Sequence, residues 1–365
     1  MKDFLGRIKC FPPKRFITSL LHVNDDRSLR GVIYPDRHTL SLMSLKFALG
    51  LAFAVAIGAV LAAAPPQAAQ QPAVPATEIF LAPLTGRANQ VLTWINISNN
   101  PGYDNQPSFL PDSSGLLFSS NRDGKQMDIY RYDIAAKKVS QLTNTPEGEY
   151  SPTVTPDKKT FSVIRTEADM TQRLWRFDLD GSNPRLVLEN VKPVGYHAWI
   201  DDTHLALFIL GAGGGAPATL QLADTKTGLA TVAATGIGRS VLIRPGKGTV
   251  SYLATGETPR VLKELDPKTG VSTTLTPPLE GSQDCAWMPD GRLLMARSKM
   301  IAVWMPGATT WSVDSFMILA DEIGLARTGG VATVSSPGPN FANITRMAVS
   351  PDGKWLAFVA EPAAK

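Results

Sequence analysis

From Glu78 onward, apolar and polar residues alternate at period two in short bursts, and Gly, Pro, Asn and Asp collect between them. That pattern predicts half-buried β-strands joined by tight turns rather than helices. Asp128-Ile129-Tyr130-Arg131-Tyr132-Asp133 and Leu174-Trp175-Arg176-Phe177-Asp178 are two such bursts. Asn121-Arg122-Asp123-Gly124 and Leu179-Asp180-Gly181-Ser182 are the turns beside them.

One motif recurs at a fixed distance. Gln106-Pro107-Ser108-Phe109-Leu110-Pro111-Asp112 returns as Ser151 to Asp157, His197 to Asp202, Val241 to Gly246, Cys285 to Asp290 and Met347 to Asp352. The turn positions 111, 156, 201, 245, 289 and 351 are spaced 45, 45, 44, 44 and 62, so an insertion is expected at 315–343. A period in the forties with four strand-like runs per repeat predicts propeller blades. The last copy, ending at Trp355 to Val359, supplies two strands, and Glu78 to Ala82 with Val91 to Ile95 match the missing third and fourth. The expected fold is therefore all-β, a six-bladed β-propeller over 77–361 closed by pairing N-terminal and C-terminal half-blades, which removes open sheet edges.

The residues Ser119-Ser120-Asn121-Arg122-Asp123-Gly124, Asp128-Ile129-Tyr130, Leu179-Asp180-Gly181-Ser182-Asn183-Pro184-Arg185 and Ser350-Pro351-Asp352-Gly353-Lys354 resemble the TolB-type, WD40-like propeller repeat. The resemblance spans roughly 78 to 360 and is weakest in the third and fourth copies, where Asp201 and Gly246 break the Pro-Asp pair. It is to the propeller standing alone, without the α/β domain that precedes it in TolB. What it implies is a periplasmic protein that binds envelope proteins through the face of the ring.

Charge is placed unevenly. The first 46 residues carry nine Lys/Arg and four Asp/Glu, leaving 27 against 28 for the remainder, so the body is close to neutral and no nucleic-acid partner is expected. Phe47 to Ala64 is an uncharged apolar run behind Lys46, followed by a Pro/Ala/Gln-rich linker at 65–76. Residues 43–64 read as a signal peptide, or as a membrane anchor if uncleaved, with 1–42 an extension, disordered or non-native, before a start at Met43. The expected location is periplasmic or secreted.

Chemistry-bearing residues are few. Cys10 and Cys285 exclude a disulfide framework, and Cys285 reads as a buried small hydrophobe. No Gly-x-Ser-x-Gly elbow is present, and His22, His38, His197 and His204 form no metal-ligand spacing, so no metal or cofactor is expected. Trp175, Trp199, Trp287, Trp304 and Trp355 are expected to fill the wedges between blades, while Trp94 and Trp311 are candidates for an exposed patch.

Aligning the six copies places Asn105, Tyr150, Gly195, Arg239, Gln283 and Thr345 at one ring level and Gln106, Ser151, Tyr196, Ser240, Asp284 and Arg346 one step inward. The candidate binding residues at this channel mouth are Tyr103, Asp104, Tyr150, His197, Arg239, Asp284 and Arg346. The leading expectation is a monomeric, non-enzymatic scaffold for an envelope protein or peptide. The alternatives are a lyase, a hydrolase or a sensor acting on a small polar or carbohydrate ligand in the channel, with His197 or Asp284 as acid or base.

Overall fold

Turn chemistry explains the repeat. In a computed structural model that describes residues 75–84, 91–319 and 341–362, the Asp of each Pro-Asp turn accepts a hydrogen bond from the backbone N–H two residues on. The pairs are Asp112 with Ser114 at 3.0 Å, Asp157 with Lys159 at 2.9 Å, Asp290 with Arg292 at 3.1 Å and Asp352 with Lys354 at 3.1 Å. Asp201 does the same for Thr203 at 2.8 Å, so the third copy keeps the turn without its proline. Gly246, with φ +72, solves the fourth by its own conformational freedom. The most regular feature of the sequence is thus a folding device.

The chain opens with β1 (Glu78–Pro83), β2 (Val91–Leu92) and β3 (Ile95–Asn96). Blade 1 is β4 (Asp104–Phe109), β5 (Gly115–Ser120), β6 (Asp128–Asp133) and β7 (Lys138–Gln141). Blade 2 is β8 (Gly148–Val154), β9 (Thr160–Thr166), β10 (Gln172–Asp178) and β11 (Arg185–Leu186). Blade 3 is β12 (Val194–Trp199), β13 (His204–Ile209), β14 (Thr219–Asp224) and β15 (Leu229–Thr235). Blade 4 is β16 (Ile237–Ile243), β17 (Val250–Ala254), β18 (Val261–Leu265) and β19 (Ser272–Thr276). Blade 5 is β20 (Cys285–Trp287), β21 (Leu293–Arg297), β22 (Met300–Trp304) and β23 (Ser312–Leu319), and β24 (Phe341–Val349) and β25 (Trp355–Pro362) complete the described chain. The fold is a six-bladed β-propeller without a helix among the described residues.

Blade 6 is composite, in the order β24-β25-β1-β3. Its seam runs from Glu78↔Ala360 to Pro83↔Trp355, antiparallel and without interruption, so the ring closes as the repeats predict. The fourth strand differs from expectation. Ile95 and Asn96 pair with Leu81 and Phe80, whereas Val91 and Leu92 leave the blade and add in parallel to Ile318 and Leu319 of β23. The ends of the expected 315–343 insertion are strand, with Ser315 to Leu319 in β23 and Phe341 to Asn343 in β24. Positions 320–340 lie outside the described residues, as do 1–74, which include the apolar run and all but the end of the linker.

The core is divided into wedges, one at each blade junction. Phe80, Phe341 and Phe358 are the aromatic centre of the junction between blades 5 and 6, with ring centroids 5.2 to 5.6 Å apart. Phe161 stacks on Phe177 at 5.5 Å between blades 1 and 2. Trp199, Trp287 and Trp304 are buried in wedges, and Trp175 and Trp355 pack at their edges. Trp94 and Trp311 form no exposed patch. Trp94 lies edge-on to Phe341 at 5.7 Å, and Trp311 donates through Nε1 to the Pro277 carbonyl at 2.7 Å.

Candidate functional site

Six inner strands, β4, β8, β12, β16, β20 and β24, converge on a central cavity of about 570 Å³. One end is lined by turn residues Pro111, Pro156, Lys158, Pro245 and Pro351; towards the other stand Tyr196, Arg239, Asp284 and Arg346. A second cavity of similar size adjoins this end, sharing Arg239, Asp284, Arg346 and Met347 and continuing over Gln283, Arg297, Asn343 and Thr345. The shared residues form a neck between channel and vestibule.

Local geometry brings these side chains inward. Inner strands bulge at the mouth end, with register breaks between Asn105 and Ser108, Tyr150 and Thr153, Val194 and Tyr196, Ile237 and Val241, and Ile344 and Arg346. A bulge bends the strand and re-aims side chains. At two of them a non-glycine residue holds positive φ, Gln106 at +59 and Ser151 at +53, a costly conformation that needs support from its surroundings. The support is reciprocal: Gln106 Oε1 accepts from Ser119 Oγ and from the Ser151 backbone N–H, both at 2.9 Å, tying blade 1 to blade 2.

The neck is an ion network. Arg239 donates from Nε to both Asp284 oxygens at 3.2 and 3.0 Å, its Nη2 also bonds Asp284, and the same nitrogen reaches the Thr345 carbonyl at 3.3 Å. Arg346 stands 3.8 Å from Asp284 and donates from Nη2 to the Tyr196 hydroxyl at 2.6 Å, with its guanidinium 4.8 Å from that ring's centroid. Tyr103 stands close enough to feel the charges of Arg346 and Arg239 and lies near Tyr196 and Tyr150, while Tyr150 packs against the core between blades 2 and 3; neither Tyr103 nor Tyr150 lines the cavity itself. Burial pushes the Tyr103 phenol up to about 12, opposed by Arg346 and Arg239, and burial also raises that of Tyr150. The mouth thus has an aromatic half, blades 1 to 3, and an ionic half, blades 4 to 6. Arg239, Arg346 and Lys158 against Asp284 leave the channel lining cationic.

Two expected residues play other parts. Asp104 does not line the mouth: at the start of β4 it is fully buried and pairs with Arg122 at 2.9 Å. Asn100 adds a hydrogen bond to it at 3.1 Å. His197 does line the channel, but its Nε2 lies 2.6 Å from Ser162 Oγ, which also accepts from Trp199 Nε1 at 2.9 Å. Burial pulls its imidazole down to about 3, so the ring is neutral. His197 and Asp284 have different partners and make no acid–base dyad. His204 is exposed and bonds Asp201 at 2.9 Å, and Cys285 is buried, its thiol pushed up to about 12 by burial.

The Asp104 arrangement recurs one blade on and was not expected. Glu149, at the start of β8, accepts from Arg165 Nε at 3.1 Å and from Thr143 Oγ1 at 3.1 Å, and Thr143 also reaches Asp128 at 3.2 Å. Arg165 lies over Trp175 and Phe177 as Arg122 lies over Phe118 and Tyr130. These are clasps between blades. Their signal was present as Glu78…Ser98…Asp104 and Asp128…Thr143…Glu149, equivalent positions carrying the same chemistry.

Fold and mouth together define a closed six-bladed propeller with a cationic channel, lined at its neck by Tyr196. No family model matches the chain. An uncharacterized protein of Agrobacterium fabrum is 29% identical over 94 residues, which is 24% of this chain and 32% of that protein, so the match spans about a third of the relative's length. Among solved structures, one assigned as TolB from Agrobacterium tumefaciens superposes with a TM-score of 0.58 at 14% identity, covering 80% of this chain and all of that one. A chain of a nidogen/laminin complex superposes at 0.50 with 10% identity, covering 67% of this chain and 94% of that one. At such identities the likeness is one of fold, and the fold is the TolB-like propeller expected from the repeats.

Proposed function

We propose that this protein is an exported, non-catalytic propeller scaffold that holds an acidic segment of another envelope protein at the channel mouth. The observation that carries this reading is the neck, where two arginines meet one carboxylate beside Tyr196, with Tyr103 near enough to feel both arginines. An entering carboxylate can take the place of the 3.8 Å Asp284 contact on Arg346, gaining a charge-assisted, planar pairing that the resting network does not supply. Tyr103 and Tyr196 offer rigid amphipathic surface around it. The adjoining vestibule gives an extended segment room to approach. The apolar run at 47–64 supports export, and the resemblance to TolB repeats favours the periplasm.

A photo-crosslinking side chain at position 103 or 150, in cells, tests this directly. One recurrent envelope protein, attached through an acidic stretch and lost in an Arg239→Ala, Arg346→Ala variant, is the expected result. Crosslinks that ignore those changes would remove the partner from the mouth.

A second reading rests on two orphaned polar atoms in the channel wall. His197 Nδ1 and Ser151 Oγ are buried without a hydrogen-bond partner. Such atoms favour a small polar ligand within the channel. Differential scanning fluorimetry against neutral sugars and polyols, which offer no carboxylate to Arg346, separates the two readings, because stabilisation by such an uncharged molecule is expected only under the second.

A further inference from the structure

Three neighbours of Ser162 fix the state of His197. Trp199 Nε1 can only donate to Ser162 Oγ, at 2.9 Å, and the Thr153 carbonyl, 3.2 Å from the same oxygen, can only accept from it. The single serine hydrogen therefore goes to Thr153. His197 Nε2, 2.6 Å from Ser162 Oγ, must then bring its own hydrogen to the remaining lone pair, and because burial keeps the ring neutral, Nδ1 is left as a bare acceptor. That atom is buried without a partner, on a residue only 7% exposed that lines the channel. An acceptor of this kind calls for an O–H or N–H from whatever occupies the cavity.

We propose that the middle of the channel is a binding site for a neutral, polyhydroxylated molecule of the sugar or polyol type, one hydroxyl of which donates to His197 Nδ1. This rests on the second reading above, that a small polar molecule enters the channel, and names its chemistry. Ser151 Oγ, the other orphaned atom, both donates and accepts, and Gln106, whose Oε1 already receives Ser119 Oγ and the Ser151 N–H, has only its amide N–H groups left to offer. Gln106, Ser151 and His197 belong to the inner strands of three successive blades, and all three line the cavity. Hydroxyls answer an acceptor, a hydroxyl and a donor alike. The charged lining residues sit elsewhere, with Arg239, Asp284 and Arg346 at the neck and Lys158 among the turns at the far end. An ionised carboxylate brings no hydrogen to Nδ1, and an ammonium, which does, meets a cationic lining. The cavity of about 570 Å³ is of the size that holds small molecules, and Phe109, Trp199 and Trp287 in its wall give apolar surface to the C–H faces of a sugar ring.

The test is nitrogen-15 NMR of the full chain labelled at histidine, with D-glucose, trehalose and myo-inositol as neutral probes and succinate as an anionic one, joined to titration calorimetry on the wild type, His197→Phe and Ser151→Ala. Before any probe is added, the expected His197 spectrum has an unprotonated Nδ1 and the hydrogen on Nε2. A neutral probe then shifts the Nδ1 resonance, and its dissociation constant rises about fivefold or more in either variant. Ser151 Oγ holds no bond in the free protein, so Ser151→Ala keeps the fold and keeps the test decisive if His197→Phe loosens the tie to Ser162. A hydrogen on Nδ1 overturns the inference. So does a neutral probe that binds both variants as tightly as the wild type. Succinate binding in the channel while the neutral probes do not also overturns it, and leaves the second reading standing. If no probe moves the His197 resonance, water serves Nδ1, and the second reading fails together with the inference.

Discussion

Arg346 and Tyr196 lie 150 residues apart in sequence and three blades apart in a ring of six, yet the guanidinium donates to the phenol at 2.6 Å across the channel. Opposite walls of the propeller are therefore tied at the neck. Tyr196→Phe removes the acceptor while keeping the ring under the guanidinium, and should cost about 1 kcal/mol in chemical denaturation. Arg346→Leu should abolish crosslinking at position 103 while cooperative unfolding persists.

The Arg239–Asp284 pair is bidentate and only partly exposed, at 34% and 12%. Removing one partner leaves the other charge poorly compensated, so Arg239→Ala and Asp284→Ala should each cost about 1–3 kcal/mol. The double variant should cost less than the sum, and a double-mutant cycle by urea unfolding measures the difference. Additivity would mean that the two act independently.

Glu149 gives stability a direction with pH. Burial pushes its carboxyl from 4.5 to about 7, against hydrogen bonds from Thr145 and the charge of Arg165. Between those values the folded chain holds a proton that the unfolded chain releases. Its contribution is full below about 4.5 and lost as pH rises through about 7. Thermal melts across that window should fall with pH for the wild type. Glu149→Gln, uncharged throughout, should flatten the slope.

His197 works in the opposite sense. Its folded pKa is held near 3 by burial, below the ordinary 6.5, so its contribution is full above 6.5 and lost as pH falls towards 3. In proton NMR its ring resonances should not titrate between those limits until the protein unfolds. A midpoint near 6.5 would place the imidazole in water rather than against Ser162.

Closure of the ring depends on Phe358, fully buried and packed on Phe80 across the seam between the two termini. Phe358→Ala should destabilise by about 3–5 kcal/mol, read as a lower denaturation midpoint. An exposed apolar residue such as Met170 should tolerate the same change with little effect.

Much of this was legible because repeats translate period into architecture. Pro-Asp turns located the inner strands, and their alignment brought Arg239 and Asp284, one repeat apart, to neighbouring levels of the mouth. Three things were not legible. The departure of Val91 and Leu92 to β23 is a pairing over more than two hundred positions, and nothing in their local pattern announces it. Tyr103 and Asp104 stand together among the candidate mouth residues, and nothing in the sequence says that Asp104, at the start of β4, turns inward to Arg122. His197 was placed correctly in the channel wall, but its tie to Ser162 comes from the flanking blade, where a serine within β9 carries no mark of its purpose. Tyr196 stood in the aligned ring without being singled out, since its value arises from Arg346 on the far wall.

The seam between β1 and β25 also governs when the molecule can become whole. Glu78 to Pro83 are made early and find Ile95 and Asn96 close by on one side, but on the other side their partners are in β25, roughly 270 positions on, so a nascent chain holds this strand half-paired until β25 has been made. Until β25 is in place nothing joins β24 to β1, blade 6 cannot form and the ring stays open.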